Sequence, residues 1–142
     1  MSTLIIKNEK ETEAFGLKLA EKLVPGDVVA LVGNLGTGKT TLSKYIARGL
    51  GIDEPITSPT FTIVQEYHQG RLPLYHFDVY RIGDIEEMYE MGYEEYFFGE
   101  GVSLVEWADM IEEIIPEDAK IIFIEYGAEE GQRIYRCNFT LD

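Results

Sequence analysis

The chain is poor in cysteine, histidine and positive charge, and each shortage removes a class of function. Cys137 is the only cysteine in 142 residues, which excludes an internal disulfide and a cysteine-based metal centre. His68 and His76 are isolated from one another and too few to suggest a zinc site. Lys and Arg number 12 against 26 Asp and Glu, a net charge of −14. A large nucleic-acid footprint needs clustered basic side chains to neutralise phosphates, and an anionic membrane surface attracts the same kind of cluster. This balance opposes both. No apolar run approaches the ~20 residues of a membrane span, and MSTLIIKNEKE lacks the regions of a signal peptide. The expected location is the cytoplasm.

Against these shortages stands one rich stretch, VVALVGNLGTGKTT from Val28 to Thr41. Within it Gly33, Asn34, Leu35, Gly36, Thr37, Gly38, Lys39 and Thr40 fit the phosphate-loop pattern G-x-x-x-x-G-K-[ST]. Its glycines let the backbone turn so that successive N–H groups converge on an anion. A helix N-terminus beyond the loop adds free N–H groups and a positive dipole end. In this pattern Lys39 reaches the β- and γ-phosphates and the Thr40 hydroxyl ligates Mg2+, with Thr41 completing the binding stretch. Chance produces such a match in roughly half a percent of chains of this composition. The context also fits, because an apolar strand-like run precedes the loop, while Leu42, Ile46 and Leu50 follow at helical spacing.

Read in order, Thr3–Lys7 suits a short strand. Asn8 and Glu11 then resemble a capping box, opening a helix that faces inward through Phe15, Leu19, Ala20 and Leu23. After the phosphate-loop helix, Ser58-Pro59 breaks regular structure. Residues 61–67 and 72–80 are two β-rich runs around the turn His68-Gln69-Gly70-Arg71, so an antiparallel pair is expected. Residues 84–101 suggest two short helices divided near Gly92. Val102–Val105 suits a strand, Asp109–Ile115 a helix stopped by Pro116, and 120–126 and 133–141 two closing strands. The whole predicts one α/β domain over residues 1–142, a phosphate-loop NTPase-like fold with a mixed central sheet flanked by helices.

Bound Mg2+ also calls for a carboxylate at the end of a second apolar strand. Glu106 follows Val102-Ser103-Leu104-Val105 and is the favoured metal residue with Thr40. Asp78, after Leu74-Tyr75-His76-Phe77, is a second carboxylate for the same site. Thr60 lies in the Pro-broken loop, where a threonine can contact Mg2+ and a γ-phosphate. The sole tryptophan, Trp107, adjoins Glu106. Guanine-specific switches carry N/T-K-x-D; this chain does not, which favours ATP.

Three further strings accompany the loop: Thr57-Ser-Pro-Thr-Phe61, His76-Phe-Asp-Val-Tyr-Arg81 and Leu104-Val-Glu-Trp107. In this order the four motifs resemble the TsaE (YjeE) family, small ATPases of bacterial tRNA threonylcarbamoyladenosine synthesis, over nearly the whole chain. The resemblance implies ATP and Mg2+ as cofactors and weak hydrolysis by the protein alone. It also implies action with the TsaD–TsaB pair. It makes Lys39 and Thr40 phosphate and metal residues, puts Thr60 in a switch-like loop and Asp78 in the H-F-D-x-Y-R string, and marks Glu106 and Trp107 as a functional pair. Thr37 stands where the family commonly has alanine. With so few basic residues, docking on protein partners without stable direct tRNA binding is expected. A stand-alone small-molecule kinase and a non-hydrolysing nucleotide sensor are the alternative readings.

Overall fold

The computed structural model describes residues 2–34, 36–57, 63–80 and 82–141. At its centre β2 (Val28–Gly33) lies between two parallel neighbours, β5 (Val102–Glu106) and β6 (Lys120–Tyr126). A strand enclosed on both faces must be apolar along its length, which is why Val28, Val29, Ala30 and Leu31 run without a polar interruption. The remaining strands are β1 (Ser2–Ile6), β3 (Val64–Tyr67), β4 (Leu74–Asp78) and β7 (Arg133–Cys137). They complete a seven-stranded sheet of order β1-β7-β6-β2-β5-β4-β3. β4 runs parallel to β5, whereas β3 on β4, β7 on β6 and β1 on β7 are antiparallel. The mixed sheet and the antiparallel pair expected around residues 68–71 are therefore present.

Side chains alternate across this sheet and sort into two cores. Val29, Leu31, Val102, Leu104 and Leu74 face one side, packed with α1 (Glu9–Lys22) and α2 (Lys39–Gly49). Val28, Ala30, Val105 and Phe77 face the other, covered by α3 (Glu86–Met91), α4 (Tyr93–Phe97) and the 3-10 segment Ala108–Ile114. On the first side Asn8 caps α1 by accepting from the Glu11 amide at 3.0 Å, while the Glu11 carboxylate accepts from the Lys7 amide at 2.8 Å. At the far end of α1 the Arg71 guanidinium donates to the Ala20 and Leu23 carbonyls, so the β3–β4 turn seals the helix terminus.

Beyond shifts of a few residues at other element ends, two elements differ clearly from the pattern in the sequence. The expected helix at 109–115 is a 3-10 segment kinked at Ile111, whose φ and ψ of −130° and 35° leave the helical region. Ala108, Ile111 and Ile114 are its buried residues, an i, i+3 stripe that a three-residue turn aligns better than an α-helix. The last strand ends at Cys137 rather than Leu141, because its antiparallel pairing with both β1 and β6 ends there.

Candidate functional site

The alternation that builds the core also assembles the site. On β5, Glu106 continues the face of Val102 and Leu104; on β4, His76 and Asp78 continue the face of Leu74. Asp78 pairs in register with Glu106, and His76 with Leu104. All of these therefore look toward the start of α2, which the phosphate loop delivers above the sheet. Gly36, Gly38, Lys39, Thr40, Thr41, Asp78, Glu106 and Trp107 line one cleft of about 330 Å3.

The loop geometry follows from its residue types. Gly38, immediately before α2, has φ of +100°, a left-handed conformation that favours glycine, and a Cβ there would meet nothing within 4 Å among the described residues. At Gly33 a Cβ would fall 2.7 Å from the Ile124 carbonyl, so a side chain would push the loop off β6. Thr37 is buried and donates its hydroxyl to the Asn34 carbonyl at 2.7 Å, closing the turn. Unlike α1, α2 has no side-chain cap and no acid in its own first turn among the described residues; the acid at this end is Glu106 of β5.

Lys39 is only 5% exposed. Its ammonium donates to the carbonyls of Gly33 at 2.6 Å and Asn34 at 2.9 Å, and lies 4.0 Å from the centre of the Trp107 ring. Burial lowers its pKa; nearby Glu106, Asp109 and Asp78 oppose that shift. Trp107 can lie over Lys39 because its backbone is left-handed, φ 63° and ψ 37°, the one positive-φ residue other than glycine among those described. This conformation costs roughly 1–2 kcal/mol for an L-residue, and it turns the chain sharply as β5 ends. Tyr80 packs on the same indole, ring centres 4.5 Å apart.

Glu106 is 2% exposed and is the hub of the polar contacts. Its Oε1 accepts from the Thr40 hydroxyl at 3.0 Å, and its Oε2 from His76 Nε2 at 2.6 Å, with the Ser43 hydroxyl at 3.3 Å. It is thus held inside the protein, not simply exposed at a strand end. Asp78 is only half-buried, and its Oδ1 accepts from the Tyr80 amide at 3.1 Å. Thr40, Glu106 and Asp78 supply hard oxygen donors of the kind Mg2+ takes. Among the described residues no three His, Cys, Asp or Glu side chains form a ready metal cage.

The structure therefore gathers Gly33, Asn34, Gly36, Thr37, Gly38, Lys39, Thr40, Thr41, Asp78, Glu106 and Trp107 around one loop and cleft. Leu35 and Thr60 lie outside the described residues, as does Arg81. Sequence reasoning passed over His76 and Ser43. A signal existed for each: His76 shares strand phase with Asp78, and Ser43 lies one helical turn beyond Lys39 and Thr40. Arg133 had no such signal. Its Nε donates to the Thr37 carbonyl at 2.9 Å, bracing the loop from β7. Beyond it a second hollow, about 380 Å3, adjoins the loop through Thr37, Gly38 and Thr41 and extends to Lys7, Asn8, Arg133 and Tyr135.

A glycine loop joining the central parallel strand to a helix, with carboxylates paired at the ends of β5 and β4, defines an α/β protein of the phosphate-loop NTPase-like class. The family model described as "Threonylcarbamoyl adenosine biosynthesis protein TsaE" matches residues 6–135, and the chain belongs to this TsaE family. The "tRNA threonylcarbamoyladenosine biosynthesis protein TsaE" of Bacillus subtilis (strain 168) is 49% identical over 127 residues, covering 89% of this chain and 79% of the relative. The Treponema pallidum (strain Nichols) protein of the same description is 39% identical over 130 residues, covering 92% and 96%. The crystal structure of Bacillus subtilis YdiB superposes with a TM-score of 0.76 at 42% identity, covering 94% of this chain and 82% of that one.

Proposed function

We propose that this protein is a Mg2+-dependent ATPase that serves tRNA threonylcarbamoyladenosine biosynthesis, acting with the TsaD–TsaB pair. The observation that carries the reading is the junction of Thr40 with Glu106, which ties the first turn of α2 to the end of β5 beside the phosphate loop. The membership of the chain in the TsaE family supports the pathway. Mg2+, when bound, neutralises phosphate charge as phosphoryl transfer proceeds.

The protein's own groups divide the remaining work. The loop amides and α2 N-terminus bind the phosphates, and Lys39 leaves the Gly33 and Asn34 carbonyls to meet them. Thr40 and Glu106, with Asp78 beside them in register, hold the cation end. A nucleoside triphosphate is extended, so with its terminal phosphate toward Glu106 its nucleoside leaves by the opposite flank. The hollow of about 380 Å3 between the α1 N-terminus and Arg133 would accommodate it on that flank.

Trp107 provides the test, since it is the only tryptophan and lies against the Lys39 ammonium. Mg2+–ADP should change its fluorescence as Lys39 moves to the phosphates, and Lys39→Ala should abolish both this saturable response and ATP turnover. Phosphate release should rise when TsaD–TsaB is added. Wild-type turnover by Lys39→Ala in that mixture would overturn the site. Stoichiometric transfer of the phosphoryl group to a metabolite, with no phosphate released, would instead favour a kinase.

A further inference from the structure

His76 is fully buried on β4, with 0% side-chain exposure, and the phosphate-loop pattern assigns it no task. Leu74 on its own strand and Leu104 opposite it share its face, so an apolar side chain would suit the position. Instead an imidazole is there, and its Nδ1 has no hydrogen-bond partner among the described residues. Its Nε2 makes the shortest contact of the polar cluster, 2.6 Å to Glu106 Oε2. A carboxylate oxygen accepts, so the proton of this contact belongs on Nε2.

The other contacts explain what this bond does. Ser43 has one hydroxyl proton within reach of two acceptors, the Lys39 carbonyl at 2.8 Å and Glu106 Oε2 at 3.3 Å. The shorter distance is to the carbonyl, so Ser43 is a poor anchor for Glu106. His76 is then the firm donor to the inner oxygen, leaving Oε1 for the Thr40 hydroxyl at 3.0 Å. A threonine hydroxyl that donates its proton inward presents its lone pairs to the cleft, as a cation ligand must.

We propose that His76 is a positioning residue for the divalent-cation end of the site, fixing the Glu106 carboxylate so that Glu106 in turn orients Thr40. Outer partners of this kind commonly change metal affinity by 10- to 100-fold when removed. The inference rests on the proposed reading of the cleft as a Mg2+–nucleotide site, and its test separates the two.

The experiment measures Mn2+ binding by electron paramagnetic resonance, with a non-hydrolysable ATP analogue and the full chain. Nucleotide affinity without metal is measured alongside it. Gln can place an amide N–H near the position of imidazole Nε2, whereas Asn is too short. His76→Gln should stay within a few-fold of wild type, and His76→Asn should lose about tenfold or more in Mn2+ affinity. Metal-free nucleotide affinity should stay unchanged in both. Equal Mn2+ affinities in the two variants would overturn the proposal, as would an equal loss of metal-free nucleotide binding. Failure of either variant to fold by circular dichroism would assign His76 to core packing alone and also overturn it. Absence of any Mn2+–nucleotide binding by the wild type would overturn the underlying site reading instead.

Discussion

Glu106 illustrates how one residue joins stability to chemistry. On sequence grounds a strand-end acid facing a ligand contributes little to packing, so its removal should spare the fold. Its burial and its contacts with Thr40, Ser43 and His76 revise that expectation. Glu106→Ala strands buried donors at about 1–3 kcal/mol each, and its thermal midpoint should fall by several degrees. Glu106→Gln keeps the volume and an acceptor for His76, and its amide can donate to the Thr40 oxygen. It should therefore melt close to wild type while losing Mg2+-dependent turnover, because the Thr40 hydroxyl is no longer held as a donor. Parallel melts and Mg2+ titrations check both halves; a stable Glu106→Ala chain would contradict the first.

Cys137 makes a second prediction at this scale. Burial pushes its thiol up to about 11 from the ordinary value of 9.0, and it is 1% exposed. A thiol-specific reagent should react with the native protein only slowly at neutral pH and promptly in denaturant. The unfolded chain gives up this proton first as pH rises, so it binds fewer protons than the native chain between about 9 and 11. This group's contribution should therefore make stability fall across that window, with no effect of its own below it. Comparing alkaline denaturation of wild type and Cys137→Ala measures the difference.

At the scale of elements, the approach of α1 to α2 holds the phosphate loop against the sheet. Gly49 permits that approach: a Cβ there would lie 2.5 Å from Ala20 Cβ and 3.2 Å from Leu17 Cα. Gly→Ala in a helix ordinarily gains up to about 1 kcal/mol. Here the overlap should reverse the sign, because both helix backbones must separate, and overpacking costs about 1–3 kcal/mol. Gly49→Ala should lower the thermal midpoint, and a rise would show that the helices can separate freely. The same packing carries Lys39 and Thr40 into position, so nucleotide affinity should weaken with stability. Arg133 braces the other side of the loop, reaching the Thr37 carbonyl from β7.

For the whole molecule, the net charge of −14 sets the terms for meeting nucleic acid. Several cations are already engaged internally or in pairs. Lys39 and Arg133 face loop carbonyls, Arg71 closes α1, Arg48 pairs with Glu13 and Arg136 with Glu125. Counterion release from an RNA backbone needs several basic side chains turned outward together. The isolated protein should therefore show no saturable binding of labelled tRNA at micromolar concentration and physiological salt. Salt-sensitive micromolar binding without TsaD–TsaB would overturn docking through protein contacts. Among the described residues no helix is long and apolar enough to cross a membrane.

The sequence by itself determined what is local. Glycine spacing defined the phosphate loop, and apolar or β-rich runs located the strands. Asn8 and Glu11 marked the helix start, while Glu106 and Asp78 stood out as carboxylates ending apolar runs. Each signal lies within a few residues, where backbone stereochemistry and side-chain period act directly. Only the tertiary structure decided the strand order, the burial of Glu106, the pairing of His76 with it across 30 residues and the reach of Arg133 across 96. Those contacts depend on which apolar faces bury together and in which register, a free energy summed over the whole chain. No short window contains that sum, so a histidine that looks isolated in sequence becomes the nearest polar neighbour of the site's carboxylate.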